Sequence, residues 1–424
     1  MNAMHTLSLA LAFAAPIFTA EAHADYLPDP VAAEAALWAS PTVAQARGEF
    51  AAQTLRSQSL QNGREEWTVG ADILQRRIQT APRDTQAEWG LALSRPLRLP
   101  ARAEAERALG GALTAYAEAS LGEALHESGR QLLALWFDWL TEASQSQLWQ
   151  AQIALADQQL ATVNSRIRLG EAPRSERVNA EAALAQVRLQ QQQVATRERQ
   201  AHNRLRSQFP GLLVTADGAL PRPVPPSGTT NEYVNAVLEH SHELLRARRQ
   251  AGVLQAEARQ LAKRRNADPN VGMFYKNEAG GNEHVLGLNV GLTLPGAARR
   301  TDQQAAEQLS TTAQEAAIRL EQRLRQEARA DFEAAITQTA IWQQADRAAQ
   351  ALAEAARLAA RAYSLGEGSL DQVLHNRRLA LEGQLMAQQA QLGSLSASAR
   401  LKLDSHQLWP LDVDVDADSA HAHP

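Results

Sequence analysis

The side chains in this sequence that could do chemistry are few and thinly spread. The chain of 424 residues has 11 histidines, 47 acidic and 42 basic residues, and no cysteine. Without a thiol there is no disulfide, thiolate metal site, cysteine nucleophile or lipid anchor attached through cysteine. No Gly-x-Ser-x-Gly elbow or phosphate-cradling glycine loop occurs, and paired acids fall at helical surface spacing. This argues against an enzyme, and no cofactor is implied. His240 and His242 are two apart, would point to different sides of one helix, and read as helix-start residues rather than joint metal ligands. His421 and His423 lie on a tail that could bind metal only weakly. Trp136, Phe137 and Trp139 fit packing between helices better than ligand binding.

The elements that would hold these residues are unusual in length. Aromatic residues are only 5% of the chain, while Ala, Gln, Glu, Arg and Leu fill long stretches, a composition of extended helices rather than one compact core. The net charge is -5 with both signs interspersed, so no basic surface for nucleic acid stands out. At the start, an apolar run from Leu7 to Ala20 leads to Ala22-His23-Ala24, a small-x-small cleavage pattern, so residues 1–24 read as a secretory signal. Only the terminal amine and His5 supply positive charge before it, and about 14 apolar residues are too few to span a bilayer. No later apolar run approaches about 18 residues, so a membrane crossing would need a β-barrel.

Landmarks recur at an offset of about 200 residues, which points to an internal duplication. Leu37-Trp38-Ala39-Ser40-Pro41 is answered by Leu238-Glu239-His240-Ser241-His242. Val69-Gly70 is answered by Val271-Gly272, a strand ending in Pro96 by one ending in Pro295, and Leu169-Gly170-Glu171 by Leu365-Gly366-Glu367. The first repeat is 25–209 and the second 230–409. Between them, 210–229 is a proline-rich linker that can be neither helix nor central strand, and 410–424 reads as a disordered tail.

Each repeat predicts helix, strand, strand, long helix, turn, helix. Alternation marks strands near 66–74 and 88–95, and near 270–276 and 285–294. Trp67, Val69, Ala71 and Ile73 share one face of the first; Trp89, Leu91 and Leu93 share one of the second. Val271, Met273 and Tyr275 do so in the third, where Phe274 falls on the polar side, and Leu286, Leu288, Val290, Leu292 and Leu294 in the fourth. Gly, Asn, Ser, Thr and Asp on the opposite faces suit a barrel wall with lipid outside and water inside. Two half-buried hairpins capping a helical bundle are the plainer alternative. Four strands cannot close a barrel alone, so several chains would have to share one. Ala101–Leu169 and Ala297–Leu365 have no internal proline and would each run roughly 100 Å as helices. Seams are expected at Ile153, Ala156, Leu160, Val163 and Ile167, and at Ala351, Ala355, Leu358, Ala362 and Leu365. They resume at Ala180, Leu184 and Val187, and at Leu374, Leu381 and Leu385. Shorter helices, Pro30–Asn62 and Asn231–Asn266, precede the strands.

Together these features resemble the TolC family of outer-membrane factors over almost the whole mature chain. The most specific segments are Arg166-Ile167-Arg168-Leu169-Gly170-Glu171-Ala172-Pro173 and Tyr363-Ser364-Leu365-Gly366-Glu367-Gly368-Ser369, with Leu93-Ser94-Arg95-Pro96-Leu97 and Leu292-Thr293-Leu294-Pro295 as barrel-to-helix junctions. The resemblance implies a mainly α protomer with a small membrane β part. A homotrimer would build a 12-stranded barrel in outer-membrane lipid and a coiled-coil tunnel through the periplasm. It implies that Leu169, Gly170, Glu171 and Ala172, with Leu365, Gly366, Glu367 and Gly368, form tips that dock a periplasmic adaptor bound to an inner-membrane RND transporter. In the family, acidic residues often ring the aperture about six and nine positions after the second turn glycine. Here those positions hold Gln372 and His375, with Asp371 one earlier. Three-fold symmetry would gather three His375 side chains, offering a transition-metal site or a pH-dependent gate; a surface histidine beside Asn376 is the plain alternative. Glu171-Ala172-Pro173-Arg174 looks like the heavy-metal (cobalt-zinc-cadmium) efflux branch, with drug efflux and type I protein secretion as other roles. A periplasmic coiled-coil scaffold without a pore is the reading of another class.

Overall fold

The helices start where the sequence supplies caps. In a computed structural model, which describes residues 26–215, 219–265 and 267–411, Asp29 accepts from the N–H groups of Val31 and Ala32 to open α1 (Pro30–Trp38). Ser40 caps α2 (Pro41–Asn62) in the same way, and each helix has proline in its first turn, where a missing N–H costs nothing. The duplicated pair is α5 (Thr230–His240), begun by a reciprocal Thr229–Glu232 capping box, and α6 (His242–Lys263), capped by Ser241. The opening helix of each repeat is thus two helices broken at a serine. The expected signal segment and most of the expected tail lie outside the described residues.

Between these short helices and the long ones come the strands β1 (Thr68–Ile78), β2 (Asp84–Pro96), β3 (Asn270–Glu278) and β4 (Glu283–Gly291). They form one antiparallel sheet in the order β1-β2-β3-β4, with a short 3-10 turn, Ala279–Gly281, joining the last two. The strand bounds shift from expectation, most at the end of β1, at the start of β2, which begins at Asp84, and at the end of β4. β1 runs on through the polar residues Gln75, Arg76 and Arg77 because they pair with Ala87, Gln86 and Thr85. β4 stops at Gly291, opposite Asn270, the first residue of β3, so Leu292, Leu294 and Pro295 lie beyond its last partner.

The long helices are α3 (Pro100–Arg168) and α7 (Ala298–Ser364), of 69 and 67 residues, and at 1.5 Å per residue each runs about 100 Å. α4 (Arg174–Gln208) and α8 (Leu370–Asp404) return beside them, 35 residues each. On α7 the buried positions Ala328, Ala335, Trp342, Ala349, Ala356 and Tyr363 repeat every seven residues, a coiled-coil register. Within one chain this seam falls on other positions than those expected. Leu358 and Leu365 are 52% and 64% exposed, because an alanine-rich helix offers two apolar stripes and the wider one does not face its own chain.

The largest core lies midway along the bundle. Trp136, Phe137, Trp139 and Leu140 of α3 meet Leu37, Leu205, Leu403, Trp409 and Leu411, so the stretch expected to be tail begins inside the core. The Trp136 indole N–H donates to the Tyr26 carbonyl at 2.8 Å, tying the first described residue to α3. Leu212 of the linker is buried there as well.

Candidate functional site

The sheet has one apolar and one polar face. Its register sets Val69, Ala71 and Ile73 opposite Leu93, Leu91 and Trp89, then Leu93 and Leu91 opposite Met273 and Tyr275, and these opposite Leu288 and Leu286. One face is therefore apolar across all four strands, and it is bare: Ile73 is 88% exposed and Leu288 84%. The other face carries Asp72, Ser94, Lys276 and Asn289. Large groups there sit over glycines: a Cβ at Gly90 would lie 2.6 Å from the Asp72 carboxylate, and one at Gly287 would lie 2.4 Å from the Phe274 ring. Phe274, anomalous in the sequence pattern, is there because Gly287 faces it across the ladder. Near the far end Arg76 bonds Glu88 at 2.8 Å. The outer edges of β1 and β4 have no partner strand among the described residues.

Where sheet meets helix, a network of ion pairs gathers on Arg98 and Arg102, and one of them reaches the second half of the chain. Arg102 bonds Asp268, and reaches Glu106 at 2.9 Å and Glu65 at 3.4 Å. Arg98 bonds Glu106 at 2.7 Å and donates to the carbonyls of Gln61 and Leu60. Burial works to raise the Glu106 carboxyl, but the bonds and charges of Arg102 and Arg98 outweigh it and hold it below the ordinary range.

At the opposite end the two expected tip turns have one construction. Gly170 and Gly366 hold φ of 77° and 83°, which glycine enters without steric cost. Glu171 N–H bonds Arg166 O at 2.9 Å and Gly170 N–H bonds Ile167 O at 3.1 Å; Glu367 and Gly366 repeat this on Ala362 and Tyr363. Both are Schellman ends, closing the last turn of α3 and of α7. Leu169 and Leu365 project from them, 72% and 64% exposed, while Ala172 and Gly368 are half-buried. Above the turns the hairpins are locked together by Tyr363, only 2% exposed. Its hydroxyl donates to Glu176 at 2.5 Å, and Arg166 lies 4.4 Å over its ring and bonds its carbonyl at 3.0 Å. Burial, then the Glu176 carboxylate, pushes the phenol up to about 12.

The candidate aperture residues stand in the first turns of α8. Ser369 caps that helix by accepting from Gln372 N–H at 3.2 Å, and Asp371, Gln372 and His375 are all exposed. Asp371 and His375, one turn apart, line a groove between α8 and the α3–α4 hairpin; Gln372 does not. Within one chain His375 therefore faces a helical groove, and among the described residues no group of three or more His, Asp or Glu could hold a metal ion.

His240 and His242 depart from expectation. His240 ends α5 and His242 begins α6, so the break between helices turns both rings to one place, where each lies 5.1 Å from the ring of His406. His126 of α3 stacks on His406 at 5.6 Å, and a Cβ at Gly122 would lie 2.5 Å from His242 Nδ1. Burial, reinforced by Arg130, His406, His242 and Arg400, pushes His126 down to about 3, so it is neutral. Asp404 neutralises Arg130 from 2.9 Å. Sequence spacing missed this cluster because its rings come from three separate segments.

No family model matches the chain, and no curated protein matches it. Solved structures do. The outer-membrane channel OprN is 16% identical with a TM-score of 0.72, covering 88% of this chain and 88% of that one. The CmeC outer membrane channel of Campylobacter jejuni is 12% identical with a TM-score of 0.71, covering 98% and 97%. The outer membrane protein VceC of Vibrio cholerae is 15% identical with a TM-score of 0.66, covering 90% and 99%. These likenesses establish the fold over nearly the full length of each.

Proposed function

We propose that the chain is one subunit of a TolC-type outer-membrane exit duct, a passive channel with no enzymatic step. Three copies close a 12-stranded barrel in the outer membrane of a Gram-negative cell, and their helices form a tunnel through the periplasm. The observation that carries this reading is the four-stranded sheet with one bare apolar face and two open edges. In lipid an unpaired edge leaves backbone groups unsatisfied, so the sheet must join others into a ring. No helix among the described residues is long and apolar enough to cross a membrane. The outer-membrane channels that the fold resembles support the same reading.

At the tips, Leu169-Gly170-Glu171-Ala172 and Leu365-Gly366-Glu367-Gly368 dock the hairpins of a periplasmic adaptor, which joins the duct to an inner-membrane RND pump. Their exposed leucines and shared turn geometry suit one repeated docking motif. Asp371, Gln372 and His375 ring the aperture in the trimer, and a heavy-metal cation is the cargo proposed from the tip segment and from three His375 side chains about one axis. Drug efflux or type I secretion would use the same duct.

Membrane fractionation tests the reading. Heat-modifiable oligomers recovered from the outer membrane support it, and a soluble periplasmic monomer would make the chain a coiled-coil scaffold instead. The aperture is tested apart from the duct: micromolar Zn²⁺ or Ni²⁺ should reduce conductance of the reconstituted protein near neutral pH, and His375→Ala should remove that block. Sensitivity of a deletion strain to metals, compared with dyes and detergents, tests the cargo.

A further inference from the structure

The groove between α3, α4 and α8 is a cavity of about 520 Å³, the size of a site for a drug-sized molecule. Leu155, Ala180, Leu374 and Leu381 give it an apolar wall, and Trp149 lines it too. Four charged or titratable groups line it: Asp371, His375, Arg377 and Arg378. Arg378 has a partner, Glu382, 3.8 Å away on its own helix. Arg377 is different. It donates one hydrogen bond to the Leu155 carbonyl at 3.0 Å, and among the described residues no carboxylate lies within 4.0 Å of it. A guanidinium has five N–H donors in a flat fork suited to a carboxylate or sulfonate. Burial pulls the Arg377 pKa below its ordinary value, so this charge is held half out of water without an anion to balance it.

We propose that this cavity binds one amphipathic organic anion, its apolar body on the leucine and alanine wall and its anionic group on Arg377. The exposed carboxylate of Asp371 disfavours a dianion and leaves a singly charged ligand with a broad apolar part as the best fit. All of the lining residues come from one chain, but Asp371 and His375 also belong to the proposed aperture, so the site requires the groove to stay open in the assembled ring.

The test uses the full chain purified in dodecyl maltoside, with 8-anilinonaphthalene-1-sulfonate as probe and energy transfer from tryptophan as readout. One saturable site per chain is expected, with transfer reduced in Trp149→Phe. Arg377→Gln should weaken binding by about tenfold to a hundredfold, the loss expected for a charged hydrogen bond. Arg378→Gln should change it by less than about twofold, a paired exposed group contributing little. Ala183→Trp, which fills the cavity and leaves every charge in place, should abolish it. The uncharged analogue N-phenyl-1-naphthylamine should bind Arg377→Gln as it binds the parent. Unchanged affinity of the sulfonate in both Arg377→Gln and Ala183→Trp would overturn the proposal, as would the lack of any saturable site because a second copy covers the groove.

Discussion

Replacing Leu288 by arginine puts the membrane reading of the sheet to a quantitative test. Leu288 is central in β4, pairs with Met273 and is 84% exposed, so in the folded chain its side chain meets only what surrounds the apolar face. If that is hydrocarbon, arginine near the bilayer midplane costs about 2–4 kcal/mol per copy. Three copies in one ring raise this to about 6–12 kcal/mol, comparable with the whole stability of an ordinary domain. The neighbouring Asn289 faces the other side, opposite Gly272, and Asn289→Arg there points into water and should be nearly neutral. After refolding into liposomes, Leu288→Arg should lose the heat-modifiable oligomer on gels while Asn289→Arg keeps it. Equal behaviour of the two variants would refute the assignment of faces, and greater damage from Asn289→Arg would invert it.

Gly170→Val and Gly366→Val should each cost about 1–3 kcal/mol at the tip, through backbone strain alone, since no atom lies within 4 Å of an added Cβ; export should be lost and membrane insertion kept, as measured by an efflux assay beside fractionation. Tyr363→Phe removes the 2.5 Å bond to Glu176, and hydrogen exchange of the residues flanking both tips should quicken by roughly tenfold while the sheet is unchanged. Two opposed titrations sit on successive turns of α3. Burial, then Glu243, pushes the Glu123 carboxyl up to about 7, so its contribution to stability is present below 4.5 and lost as pH rises to 7. His126, pushed down from 6.5 to about 3, contributes above 6.5 and loses that as pH falls. Glu123→Gln should therefore stabilise the protein by about 1–2 kcal/mol above pH 7 after allowing for screening, and not below pH 4.5. It should also uncover a falling melting temperature on acidification below 6.5, which the parent masks; a flat acid profile in the variant would contradict the burial of His126, and no gain above pH 7 would contradict that of Glu123.

Four strands, two long helices and two glycine turns were legible in the sequence because each rests on local pattern: period two, period seven, and a residue that tolerates positive φ. What was hidden depends on partners distant in the chain. The length of β1 followed from Asp84–Ala87, and the end of β4 from the start of β3 at Asn270. Within one chain the α7 seam falls on other positions than those expected because alanine on two stripes gives no contrast, and packing against α8 selects Ala349 over Ala351. The Tyr363–Glu176 lock joins residues 187 apart, and the histidine cluster needs the Ser241 break to turn two rings together. Leu411 looked like tail because a single leucine before an acidic run carries no period.

The central claim, that chains close into a ring through the open edges of β1 and β4, can be tested directly because the chain has no cysteine of its own. Ala71→Cys in β1 would be combined in turn with Leu286→Cys, Leu288→Cys or Val290→Cys in β4. Within one sheet these strands are three spacings apart, about 14 Å, too far for a disulfide, so any bridge must join neighbouring chains. Oxidation in isolated membranes should give, for at least one pair, a covalent species of three chains and none larger. Failure of every pair to cross-link, or a ladder that stops at two chains or continues past three, would contradict the account.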